Sequence, residues 1–197
     1  MIHRPSRENL ANADPQELAA LAADCLSLFE PGVLPLPVFA QVARLAVLGS
    51  MELVPFRAGA TEPEILLAQR SPDDLWWPGQ WHAPGTIIRA TDEEENAHDF
   101  ASPGDRALKA EFAGTIVRTA AVRPFDVQRR TGIRGSEISA FCWTEVCLAD
   151  GAERPYSGEF FNAHDVLAHP PKEGLIKLHP ELIEQAIPVW YAAHPTA

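Results

Sequence analysis

Along the chain the apolar positions change period several times, and each change marks an element. Leu18, Leu21, Cys25, Leu28 and Phe29 recur at helical spacing and predict a helix over residues 14–29. Asp14 suits its cap, Pro15 its first position and Glu17 its first turn. Pro31-Gly32 ends it, and a second short helix is predicted over Val38 to Leu45. Beyond this the period shortens to that of strands. Residues 50–57 and Glu64 to Arg70 read as two strands joined through Ala58-Gly59-Ala60, and Trp81 to Arg89 as a third. Ser71 to Gly79 is a loop, and the acidic Thr91 to Phe100 an exposed one. Ser102-Pro103-Gly104-Asp105 is a helix start, with Ser102 as cap, and Gly114 closes that helix. Thr115 to Val122 is a strand. So is Gly135 to Leu148, where Ile138, Ala140, Cys142 and Thr144 alternate with Ser139, Phe141 and Trp143. Asp150-Gly151 turns the chain, a short helix follows near Ala163 to Ala168, and Pro180 to Tyr191 is a last helix that Pro188 bends or ends. There is no internal repeat. Helices, strands, a helix, strands and a helix make an α+β fold, an α/β/α sandwich, rather than a regular βαβ array.

The bulk numbers agree with this reading. The 197 residues are 46% hydrophobic and 22% charged, enough apolar material for a real core. They suffice for one domain, residues 46–197, preceded by a helical extension, residues 1–45. The formal net charge of -11, from 16 basic and 27 acidic side chains, argues against nucleic acid as a partner, because phosphate backbones select basic surfaces. No apolar run approaches the length of a membrane span, and Met1 to Ser6 are not followed by the apolar stretch of a secretory signal. Cys25, Cys142 and Cys147 are an odd set. Cys142 and Cys147 are expected on opposite faces of one strand, so they predict buried thiols rather than a metal site or a disulfide framework, and a cytoplasmic chain. The apolar stripe of the extension needs a cover, either its own domain or a second subunit of a homodimer.

Chemistry enters with Trp81-His82-Ala83-Pro84-Gly85-Thr86 and with Arg106-Ala107-Leu108-Lys109-Ala110-Glu111-Phe112-Ala113-Gly114. Together they resemble the Nudix family, whose box, Gx5Ex7REUxEExGU with U aliphatic, lies on a loop-helix-loop after a WxxPGG strand end. Trp81, Pro84 and Gly85 match the lead-in, and Arg106, Leu108 and Glu111 match the helix. Glu64 to Arg70 is similar to the strand that precedes the box. Glu159-Phe160-Phe161 with Asp165-Val166-Leu167 is similar to the family's late turn and small helix. The resemblance spans roughly residues 45 to 185 and implies a mixed β-sheet between helices. It also implies hydrolysis of a nucleoside-diphosphate-linked or similar diphosphate with Mg²⁺ or Mn²⁺.

The chain departs from the box at the acids. Thr86 stands for its first glycine. Asp92 stands for its first glutamate, 14 positions before Arg106, a longer spacing than the family uses. Ala107 and Ala110 replace two of the three helix glutamates, and Ala113 its closing glycine. Hard divalent cations need converging oxygens, and residues one helical turn apart share a face, so two of three carboxylates are missing where they would converge. What the resemblance implies for the rest is Glu111 as metal ligand, assisted by Asp92 and Glu93, with Arg106 as its brace or a surface cation. Arg70, Trp77, Gly85 and Glu159 are the candidate substrate contacts. Arg70 ends a strand beside the loop and can meet a phosphate. Trp76 and Trp77 can stack a base, since aromatic faces bind bases, while Trp81 suits the core. A single histidine at His82 suits a structural role, and His98, His164, His169 and His179 lack zinc spacing. Gly132 to Gly135 is a basic turn that joins a hairpin or approaches a phosphate. Two functions follow: a metal-dependent diphosphate hydrolase with a weakened site, or a fold kept for binding a small molecule or a protein.

Overall fold

The computed structural model describes residues 14–30, 34–59, 62–89, 91–92, 100–132 and 135–195. Two helices lead, α1 (Pro15–Ser27) and α2 (Leu36–Leu45), followed by the strands β1 (Leu48–Arg57), β2 (Glu64–Gln69), β3 (Trp81–His82) and β4 (Gly85–Ile87). Helix α3 (Ala101–Phe112) precedes β5 (Ile116–Arg118), β6 (Arg123–Gly132), β7 (Gly135–Leu148) and β8 (Gly158–Asn162). The helices α4 (Asp165–Ala168) and α5 (His179–Ala193) close the chain.

The strands form one mixed sheet of eight, running β3-β2-β1-β7-β5, with β4 also on β1, β6 on β7 and β8 on β2. Its centre is the parallel pair β1 and β7, in register from Leu48↔Glu137 to Phe56↔Glu145. Both sheet faces are covered, so the central strands read as near-continuous apolar runs and their neighbours part company. Leu53, Leu66 and Cys142 pack with Ala107, Leu108 and Phe112 of α3. The adjacent Val54, Leu67 and Phe141 pack on the other face with Leu182, Ile183, Ala186, Ile187 and Trp190 of α5. This is the α/β/α sandwich expected from the sequence. No helix among the described residues is long and apolar enough to cross a membrane.

The two helices of the extension behave differently. Asp14 caps α1 by accepting from the Gln16 amide at 2.9 Å, as its sequence predicts, yet no residue of α1 is buried. Helix α2 is docked. Ala43 is 1% exposed, and a Cβ built on Gly135, whose φ is +133°, would meet the Ala43 carbonyl at 2.1 Å. Only glycine lets β7 start this close to α2.

Several boundaries differ from the expectation. Helix α3 starts at Ala101 with Phe100, not Ser102, at the cap position, because Phe100 packs into the α3 core and draws the chain in earlier. Pro103 is tolerated there since first-turn amides have no helical acceptor. The expected strand Trp81–Arg89 is broken at Ala83-Pro84, where the chain crosses from β2 to β1. The strand expected over Thr115–Val122 shrinks to β5, and β6 was not anticipated. Its residues Arg123 to Gly132 are mostly polar and half exposed on a sheet edge, so they carry little periodic signal. Pro188 does not end α5, which runs to Ala193. Glu184, one turn before the missing Pro188 amide, is exposed, while Ile187 and Trp190 are buried.

Candidate functional site

Leu108 and Phe112 anchor α3 in the core, which aims Glu111 out of the helix toward the β2 end and β3. Its carboxylate meets two groups there. Arg70 Nη1 lies 3.7 Å from Oε1, and His82 Nε2 lies 3.6 Å from Oε2. Burial pushes the Glu111 carboxyl up, but the facing His82 edge and the Arg70 guanidinium outweigh it and hold the group below its ordinary value, against a smaller opposing push from Asp74. His82 is 1% exposed, and its Nδ1 donates to the Ala83 carbonyl at 2.8 Å, which fixes the orientation of the ring. That leaves Nε2 aimed at Glu111 beyond hydrogen-bond reach, and both it and Arg70 Nε are buried without a hydrogen-bond partner. Arg70 also lies 3.9 Å from Asp74, whose other oxygen accepts from the Trp76 and Trp77 amides at 2.9 Å each.

Arg106 is turned away from Glu111. It grips Asp92, Nε to Oδ1 at 3.1 Å and Nη2 to Oδ2 at 2.7 Å, and also donates to the Ile87 carbonyl at 3.0 Å and to the Thr86 hydroxyl. Asp92 Oδ2 accepts the Arg89 amide as well, at 2.8 Å. Burial raises the Asp92 carboxyl, yet Arg106 and the Arg89 amide bring it below its ordinary value. Both its oxygens are spent on tying the end of β4 to α3.

A cleft with a cavity of about 70 Å³ opens beside this cluster. Arg70, Trp77, His82 and Gly85 line it. So do Ser50 and Glu52 of β1, Glu137 and Ser139 of β7, and Arg130 of β6. Residues two apart on a strand share a face, which is why these polar side chains gather there. The Ser50 and Ser139 hydroxyls are 2.6 Å apart, and Ser50 donates to Glu137 at 3.2 Å. Gly85 stands in register with Glu52, and a Cβ there would meet its carboxylate at 2.2 Å, so this glycine makes room for that side chain. Arg130 lies 4.1 Å over the Phe141 ring, and burial pulls its pKa down against the raising influence of Glu52, Glu181 and Glu137.

The candidates from the sequence therefore separate. Arg70, Trp77 and Gly85 line the cleft, and Glu111 stands at its wall through His82 and Arg70. Arg106 and Asp92 form a clamp outside it. Glu159 is exposed on β8, opposite Leu67 of β2. Glu93 lies outside the described residues. Glu137 joins the cleft as one of the acids that the later strands could contribute, whereas Glu52, Arg130, Ser50 and Ser139 escaped the sequence reading. A signal existed for β1, where Ser50 and Glu52 interrupt an otherwise apolar strand.

These residues do not fit a divalent cation on α3. Ala107 is 2% exposed in the core and Ala110 faces solvent, neither carrying an oxygen. Asp92 is saturated by Arg106, and a guanidinium already faces Glu111. Among the described residues no three His, Cys, Asp or Glu side chains converge to hold a metal ion.

No family model matches the chain, and no curated protein does. Solved structures match its shape. The Nudix domain of Shewanella oneidensis NrtR complexed with ADP ribose covers 95% of this chain and 99% of its own, with 19% identity and a TM-score of 0.52. A mutT/nudix family protein from Listeria innocua covers 76% of this chain and 98% of its own, with 21% identity and a TM-score of 0.52. A Nudix hydrolase from Nitrosomonas europaea covers 75% and 90%, with 10% identity and a TM-score of 0.51. The chain has the Nudix fold.

Proposed function

We propose that this Nudix-fold chain binds an anionic, nucleotide-type small molecule in the cleft, and that neither binding nor retention of the ligand depends on a divalent cation. The observation that carries the reading is the pairing of Glu111 with Arg70 and His82. Hydrolysis of a diphosphate by this fold needs Mg²⁺ or Mn²⁺ held by several carboxylates, to polarise the phosphoryl oxygens and acidify a water. Here the one remaining helix carboxylate faces a guanidinium and an imidazole instead. Arg70 carries permanent positive charge and a donor, Nε, with no partner of its own. It and Arg130 supply what a metal would otherwise supply to an anion, which is charge and directed hydrogen bonds. Glu111 becomes a positioning residue that holds Arg70 and His82 in place. The ADP ribose bound to the Shewanella oneidensis domain supports this ligand class and supplies the first probe.

The test is titration calorimetry with ADP ribose, in EDTA and in Mg²⁺ or Mn²⁺, beside a phosphate-release assay. The expected result is one affinity in all three conditions and no turnover. Arg70→Gln should weaken binding about tenfold or more, the cost of a charged hydrogen bond. Metal-dependent turnover that disappears in Glu111→Gln would overturn the proposal in favour of a hydrolase.

A further inference from the structure

A second concavity adjoins the cleft. It is a groove with a cavity of about 400 Å³, within the range of small-molecule sites. One wall is α2, with Phe39 and Arg44. The other is the start of the β6–β7 hairpin, with Thr131, Gly132 and Ser136, and Trp76 stands at its end. Gly132 lines the groove and the cleft alike, and the two are joined again through neighbouring tryptophans. Trp77 lines the cleft and Trp76 the groove, with ring centroids 6.2 Å apart and planes tilted by 51°.

The two halves differ in chemistry. The cleft offers the cations Arg70 and Arg130 with the acceptors Glu52 and Glu137, which suits an anion flanked by hydroxyl groups. The groove is lined by two aromatic rings, a guanidinium and the Thr131 and Ser136 hydroxyls, with no carboxylate among its described residues. Such a surface suits a flat, uncharged heterocycle, because π faces and guanidinium planes stack on it and hydroxyls reach its edge.

Resting on the reading of the cleft as a small-molecule site, we infer that this groove is the aromatic half of that site. It stacks a planar heterocycle whose anionic half occupies the cleft, so that the N-terminal extension, through α2, decides which ligands are held. The platform is fixed in place from two sides. Ala43 seated on Gly135 locks α2 against β7. Asp74 caps the Trp76–Trp77 turn with one oxygen and faces Arg70 with the other, which ties the stacking surface to the anion contact.

The experiment compares ADP with inorganic pyrophosphate by calorimetry in EDTA. The wild-type chain should bind ADP about tenfold or more tightly than pyrophosphate, the scale of one stacked base. Trp76→Ala and Phe39→Ala, which remove the two aromatic rings of the groove, should each reduce ADP toward the pyrophosphate level and leave pyrophosphate unchanged. Trp76→Phe, which keeps a ring, should restore most of the difference, and circular dichroism checks each fold. Arg70→Gln should weaken both probes. If ADP affinity survives Trp76→Ala and Phe39→Ala while Arg70→Gln weakens both probes, the groove is not the aromatic half, though the cleft reading stands. If the wild-type chain binds neither probe, the cleft reading fails and this inference with it.

Discussion

At the scale of single residues, Ala113 and Ser157 are the non-glycine positions with positive φ among the described residues, and Ala113 bears on the site helix. It closes α3 with φ of +50°, where the resembling motif has glycine, and the following Gly114 is also left-handed. A left-handed L-residue costs about 1–2 kcal/mol, so Ala113→Gly should raise stability by about 1 kcal/mol, read as a Tm increase of a few degrees. Glu111→Gln tests the other special residue. Its contacts of 3.7 and 3.6 Å lie beyond hydrogen-bond reach, so the loss should be about 1 kcal/mol, and calorimetry should show the larger effect, weakened ligand binding as Arg70 loses its brace. The resemblance of the helix to the Nudix box brought Arg106 and Glu111 forward, and the strand end beside the loop brought Arg70. What spacing does not contain is who faces whom. Arg106 meets Asp92, and Glu111 meets Arg70 and His82, because partners come from β2, β3 and the β4 end, whose approach is decided by sheet register. Glu52 and Arg130 stayed hidden for the same reason, since the face they share with Glu137 exists only once β1, β7 and β6 are paired.

At the scale of elements, the Asp92–Arg106 clamp is the joint between β4 and α3. Asp92 is 5% exposed at its side chain and Arg106 23%. Asp92→Ala strands a half-buried guanidinium and should cost about 2–3 kcal/mol in denaturant unfolding, whereas the same change at Asp105, exposed and paired with Arg118, should cost under about 1 kcal/mol. Gly135→Ala tests the α2 joint. The added methyl collides with backbone rather than with a flexible side-chain end, so α2 should detach and become protease-sensitive while the sheet persists. The elements that could be read in advance are those whose apolar pattern is their own: β1, β2, β7, α3 and α5. Those that could not are β6, a polar edge, and the ends of α3 and α5, where core contacts of Phe100 and Trp190 override the local signals of Ser102 and Pro188.

For the whole molecule, the sandwich carries a charge of -11 and keeps its best ion pairs on carboxylates held below their ordinary values. The folded chain therefore binds fewer protons than the unfolded one in the acid range. This part of its stability is complete at neutral pH and is lost as pH falls below about 4. Asp92→Asn should flatten that acid limb of the stability-pH curve without shifting the neutral-to-alkaline side. The parallel pairing of β1 with β7 has a further consequence, in time rather than in space. Ser50 and Ser139, which touch at the centre of the sheet, are 89 residues apart. A strand emerging early from the ribosome thus waits for most of the chain before its partner exists, and such distant pairings fold slowly. Fragments ending before residue 148 should fail to reach the native sheet, and refolding should run over milliseconds to seconds in one cooperative step.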